Sequence, residues 1–196
     1  MIKARAQAHE VRLIGGIWKR TRLPVMDRPG LRPTPDRVRE TLFNWLASLA
    51  GADGGELPGW HCADLFAGTG ALGFEAASRG AASVWLCEQD PALVAQLKVL
   101  RNRLQAETVR IERGNGVALL ESAAPGSLDA VFIDPPFDQP ALYTAALRAA
   151  LRALRSGGVA YVESPQPWSA EQAAALGFTL YRQLKAGAVY AHLLRT

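Results

Sequence analysis

Asp134-Pro135-Pro136-Phe137 directly follows the apolar run Leu128–Ile133. A buried strand ending this way sets a carboxylate, a rigid carbonyl and a flat apolar ring together at the carboxyl edge of a sheet. Open α/β sheets bind their ligands at that edge. An exocyclic amine on a planar base is a poor nucleophile, because its lone pair is delocalised into the ring. Two acceptors aimed at the amine hydrogens favour a pyramidal nitrogen and turn the lone pair outward. Asp134 offers one acceptor. The backbone carbonyl of Pro135 offers the other, held by Pro136, which restricts the residue before it. Phe137 would stack on an extruded base, a contact worth ~1–3 kcal/mol in single-strand recognition. The alternative is a turn whose prolines merely end the strand.

A second group lies upstream, in Asp64-Leu65-Phe66-Ala67-Gly68-Thr69-Gly70-Ala71-Leu72-Gly73. Gly68, Gly70 and Gly73 satisfy the G-x-G-x-x-G spacing, and Glu88 closes the next strand, where it can accept both hydroxyls of a ribose. These features suit NAD and any other adenosine nucleoside equally. Asp64 separates them. Four residues ahead of Gly68, its carboxylate would repel a pyrophosphate. S-adenosylmethionine has no phosphate and carries an ammonium and a sulfonium, both of which a carboxylate attracts. A nicotinamide cofactor is the competing reading and a purely structural loop the third. Asn115, in Arg113-Gly114-Asn115-Gly116, either bonds the adenine amine or caps the following helix.

These residues need a scaffold that brings strand ends together. Strands are predicted at Cys62–Phe66, Ser83–Glu88, Thr108–Glu112, Leu128–Asp134 and Val159–Glu163, with helices near 70–79, 91–104, 115–122 and 140–155. Such alternation implies an α/β fold with a parallel sheet and right-handed crossovers. Phe178–Lys185, Gly187 and Val189–Leu194 read as an antiparallel hairpin on one edge. Ahead of this body, Glu10–Ile14, Gly15-Gly16 and Ile17–Leu23 read as a hairpin with a tight Gly-Gly turn. Thr34-Pro35-Asp36 reads as a helix start, with Thr34 as N-cap and Pro35 in the first turn. Val38, Leu42, Trp45, Leu46 and Leu49 give that helix one apolar face. Gly51–Gly59 reads as a linker. The expected organisation is a basic arm over 1–33 and a catalytic domain over 34–196, in which 34–59 form a leading helix and linker.

Composition bounds the rest. The chain has 196 residues and a formal net charge of +4. Residues 1–40 hold ten basic side chains against four acidic ones, and the remainder is slightly acidic. A basic arm on a near-neutral body is the footprint of a polyanion binder, or else a solvated extension. No run approaches the ~20 apolar residues that cross a bilayer, and no signal peptide is evident, so a cytoplasmic location is expected. Cys62 and Cys87 read as buried thiols. His9, His61 and His192 have no metal-ligand spacing, and no metal is expected.

Asp134–Phe137 resembles the (D/N/S)-P-P-(Y/F/W) motif of amino-directed methyltransferases, and Asp64–Gly73 resembles their S-adenosylmethionine loop. The stretches Arg12-Leu13-Ile14-Gly15-Gly16-Ile17-Trp18-Lys19 and Leu31–Leu46 are similar to the N-terminal signature of the bacterial 16S ribosomal RNA guanine-N2 methyltransferases. The resemblance runs from about Val11 to Leu194. It implies a Rossmann-like class I methyltransferase fold with a seven-stranded, mostly parallel sheet and an antiparallel C-terminal hairpin. It implies S-adenosylmethionine-dependent methylation of a guanine N2 in 16S rRNA of the small subunit, by a protein expected to be a monomer. Asp64, Gly68 and Gly70 would hold the methionine part with Phe66 beside them, Glu88 the ribose and Asn115 the adenine side. Asp134, Pro135 and Phe137 would serve the guanine. Arg12, Lys19, Arg20, Arg22, Arg32 and Arg37 would contact RNA. Arg32, Thr34 and Arg37 either line the cleft or serve only in capping and solvation.

Overall fold

The computed structural model describes residues 10–28, 30–52 and 55–196; Lys3, Arg5 and His9 of the basic arm lie outside them. Strands β1 (Glu10–Arg12) and β2 (Arg22–Pro24) pair antiparallel as a separate ribbon, followed by helix α1 (Asp36–Ala50). The body then alternates as β3 (His61–Asp64), α2 (Ala71–Ser78), β4 (Ser83–Glu88), α3 (Pro91–Leu104), β5 (Val109–Arg113), α4 (Gly116–Ser122), β6 (Leu128–Ile133), α5 (Pro140–Ala153) and β7 (Leu154–Ser164). It closes with α6 (Ala170–Ala174), β8 (Thr179–Ala186) and β9 (Val189–Arg195). The seven-stranded sheet has the order β5-β4-β3-β6-β7-β9-β8. It is parallel from β5 to β7, and β9 pairs antiparallel with both β7 and β8.

The central strands are apolar on both faces, as a sheet covered by helices on both sides requires. Successive residues enter opposite cores: Ala130 and Phe132 pack with α1 and α2, while Val131 and Ile133 pack with α5. Cys62 and Cys87 are buried free thiols, with Cys87 pushed up to about 11 by burial and neighbouring carboxylates. No described helix is long and apolar enough to cross a membrane.

The ribbon departs from its predicted form. No two-residue Gly-Gly turn is made; β1 stops at Arg12, and the chain reverses through residues 17–20, with Arg20 at φ 71°. Gly15 and Gly16 instead press onto the end of α2, where a Cβ on Gly16 would lie 1.7 Å from the Ser78 carbonyl oxygen. Helix α2 supplies the acceptors that a partner strand would have given. Glu75 accepts from the Ile14 and Gly15 amides at 2.7 and 2.8 Å, and Ser78 accepts from the Ile17 and Trp18 amides. On its other side the ribbon is tied to α3, with Gln96 and Arg103 donating to the Pro24 and Arg22 carbonyls.

The start of α1 also differs. Pro35 holds the N-cap position with no side-chain cap, because the Thr34 hydroxyl donates to Glu163 on β7 at 2.6 Å. Arg39, counted from sequence among the arm's charges, is fully buried. It donates to the Thr34 and Arg12 carbonyls and to Asp36, and lies 3.5 Å from Glu75. Glu75 is paired on its far side with Arg79, whose guanidinium lies over Phe43. One buried carboxylate thus joins the ribbon, α1 and α2. The short helix α6 and the early start of β7 at Leu154 were not anticipated from sequence.

Candidate active site

From β3 the chain proceeds toward β4 and β5, whereas from β6 it proceeds toward β7. The carboxyl ends of β3 and β6 therefore form the switch point at which such sheets bind ligands. A cavity of about 800 Å³ opens there, a volume that suits a small-molecule site. Asp64, Phe66, Gly68 and Glu88 line one part of it, and Asp134, Pro135 and Phe137 another. Arg32 and Thr34 line it from the segment before α1.

Each acidic group is positioned by backbone. Asp64 ends β3 and accepts from the Gly73 amide at 3.1 Å, which ties it to the first turns of α2. Gly73 is glycine for packing, since a Cβ there would lie 2.0 Å from Leu86 on β4. Glu88 accepts from the Gly68 amide at 2.8 Å and from the Gln89 and Asp90 amides at 2.7 and 2.9 Å. Its Oε2 keeps a lone pair for a ligand hydroxyl. The Gly68 amide is thereby committed to a carboxylate.

Asp134 follows β6 and sits half-buried at the cavity wall. The Pro136 carbonyl accepts from Gln139, whereas the Pro135 carbonyl accepts from none of the described residues. Phe137 is 37% exposed beside it. Desolvation raises the Asp134 carboxyl well above its usual range, with Glu163 and then Asp64 adding to the effect. Desolvation likewise pushes Asp64 up to about 7, against the hydrogen bonds from Gly73 and Phe66.

Glu163, which sequence reasoning missed, stands beside Asp134. Val162 pairs with Ile133 across β7 and β6, so the next residue on each strand shares the same sheet edge. Glu163 Oε1 accepts from Thr34 at 2.6 Å and from the Tyr161 hydroxyl at 2.8 Å, and burial raises its carboxyl. The signal was present in the sequence: Glu88, Asp134 and Glu163 are all carboxylates that end a predicted strand, and Asp64 lies near the end of another. Arg28 and residues 30–35 line the cavity as well. Leu31 lies where a Cβ on Gly68 would meet it at 2.9 Å, and Arg28 pairs with Asp90 at 3.2 Å.

Other expected residues lie apart from this wall. Gly70 is the N-cap of α2 and packs toward Phe74 and Leu97. Asn115 caps α4, its Oδ1 accepting from the Val117 and Ala118 amides. Arg37 is exposed but not among the lining residues. Arg12 and Arg22 are paired with Asp36 and Glu10 at 2.7 and 3.0 Å. Lys19 and Arg20 are exposed at the ribbon tip beside Ile17, which is 80% exposed.

The donor set discriminates between ligands. Six acidic residues line the cavity (Asp64, Glu88, Asp90, Asp134, Asp138 and Glu163), with Arg28 and Arg32 as the basic ones. With the Gly68 amide already engaged, the loop offers a pyrophosphate little and a cation much. Such a lining could hold an adenosine that bears ammonium and sulfonium groups.

Comparisons with known proteins place the chain in a family. A family model described as conserved hypothetical protein 95 matches residues 11–195. Ribosomal RNA small subunit methyltransferase D of Haemophilus influenzae is 37% identical over 188 residues, covering 88% of this chain and 92% of that protein. The protein of the same description from Escherichia coli K12 is 46% identical over 129 residues, 65% of this chain and 61% of its own length. A solved structure from Escherichia coli superposes with a TM-score of 0.74 at 37% identity, covering 95% of this chain and 97% of the other. The chain therefore belongs to the conserved hypothetical protein 95 family, in company with relatives described as ribosomal RNA small subunit methyltransferase D.

Proposed function

We propose that this protein methylates the exocyclic N2 of a guanine in small-subunit ribosomal RNA, using S-adenosylmethionine. The observation that carries the reading is the single acid-lined cavity shared by Asp64 and Glu88 on one part of its wall and by Asp134, Pro135 and Phe137 on another. The names of its relatives supply the RNA class.

When bound, S-adenosylmethionine supplies an electrophilic methyl group. The protein's residues do the rest largely by positioning, which is the main resource for an in-line transfer. Glu88 receives a ribose hydroxyl, and Asp64 faces the cationic portion. Phe137 covers one face of an extruded guanine. Asp134 and the Pro135 carbonyl accept from the two N2 hydrogens, and this leaves the nitrogen lone pair directed away from both. A raised Asp134 carboxyl is compatible with that role, because a neutral carboxyl retains its carbonyl acceptor. Lys19, Arg20, Arg32 and Arg37 would contact phosphates, and the chain would act as a cytoplasmic monomer on the assembled or nearly assembled subunit.

The test is transfer of labelled methyl from S-adenosylmethionine to unmethylated small subunits, followed by nucleoside analysis. Label in N2-methylguanosine is the expected result; label in another nucleoside, or none, would contradict the reading. Calorimetry adds an independent check, with binding expected for S-adenosylmethionine and none for NADH.

A further inference from the structure

The proposed mechanism employs Asp134 but leaves unused the carboxylate beside it. Glu163 lines the cavity, yet its side chain is buried and its Oε1 is saturated by two hydroxyl donors, Thr34 and Tyr161. These donors come from different elements and fix the carboxylate in one rotamer. Oε2 has no partner among the described residues, and it is not among their buried unpartnered atoms, so it reaches the cavity space. The structure thus holds a rigid acceptor beside Asp134, with its free lone pairs available to a ligand.

We infer that Glu163 is a specificity residue that reads the Watson–Crick edge of the target base, its Oε2 accepting from guanine N1–H while Asp134 accepts from N2–H. Guanine presents N1–H and N2–H as adjacent donors, and the ends of β6 and β7 present two adjacent acceptors. Adenine presents an unprotonated N1 at the corresponding position, and its lone pair would face a carboxylate oxygen. A site built to accept a hydrogen bond rejects an analogue that lacks the donor, because its own buried group is left unpaired. Thr34 and Tyr161 act here as positioning residues, since they hold Oε1 and so direct Oε2. This accounts for the loss of the Thr34 cap at α1: its hydroxyl is used at the site instead.

The inference rests on the guanine-N2 reading, and the test separates the two. Small subunits are reconstituted with either guanine or 2-aminopurine at the modified position; 2-aminopurine keeps the N2 amine but has no N1–H. Wild-type enzyme should favour guanine by roughly 10–100-fold, the value of one well-formed base contact. Glu163→Gln preserves shape, and its amide oxygen takes the two hydroxyl donors, which turns an N–H toward the cavity. Its transfer to guanine should fall by a similar factor, transfer to 2-aminopurine should be restored relative to guanine, and S-adenosylmethionine affinity should stay within about threefold. Gain on 2-aminopurine cannot arise from misfolding, so a merely structural role would not produce it. If wild type methylates guanine and Glu163→Gln keeps the wild-type preference, the inference is overturned and the guanine reading stands. If wild type fails on guanine itself, the underlying reading falls.

Discussion

Asp64 connects cofactor choice to pH. Burial lifts its carboxyl to about 7, so without ligand it holds its proton across a range where an unfolded chain has lost it. The folded state binds more protons there, and this contribution to stability is present at acid pH and is lost as pH rises through about 7. A bound cation reverses the preference, because it favours the carboxylate. Affinity for S-adenosylmethionine should therefore tighten as pH rises from about 5 to 7, by at most about tenfold per unit, and level off above. Asp64→Asn should flatten that profile in calorimetry. An unchanged slope in the variant would assign the titration to Asp134 or Glu163.

At the scale of elements, the buried Glu75 determines where the N-terminal ribbon sits. It receives two ribbon amides and lies between Arg39 and Arg79. Glu75→Ala leaves two buried guanidiniums short of a partner and should cost about 3–5 kcal/mol in denaturant unfolding. Gly16→Ala should cost about 2 kcal/mol, since its Cβ collides with the Ser78 carbonyl and the residue has positive φ. The strands and helices of the body were legible because hydrophobic period and strand-ending acids are local signals: β4 and α3 fall where the sequence predicts them. The ribbon was less legible. Gly15-Gly16 is locally a good hairpin turn, but a long-range contact with α2 uses the same glycines for close approach. Thr34 likewise looks like a cap until Glu163, 129 residues away, takes its hydroxyl. Asp64, Glu88 and Asp134 could be found from where their strands end. Glu163 followed the same pattern, but its role depends on partners that only the tertiary fold supplies.

Across the whole molecule, the basic excess of the arm is smaller in effect than its residue count. Arg39 is buried, and Arg12, Arg22 and Arg28 pair with Asp36, Glu10 and Asp90. Lys19 and Arg20, with no acidic partner among the described residues, are the better candidates for phosphate contact. Replacing both with alanine should lower the log–log salt slope of RNA binding by about 1.4–1.8, whereas Arg22→Ala alone should change it less than either. An equal effect of Arg22 would show that RNA displaces Glu10. In the proposed reading, cofactor and base share one cavity but use different strands, with Glu88 closing β4 and Asp134 following β6. Single-turnover methyl transfer to unmethylated small subunits by wild type and Asp134→Ala, with S-adenosylmethionine affinity measured on both, tests that division directly. Transfer to guanine N2 should fall by at least about 100-fold in the variant while affinity stays within about threefold. Full transfer by Asp134→Ala, or loss of affinity equal to the loss of rate, would contradict it.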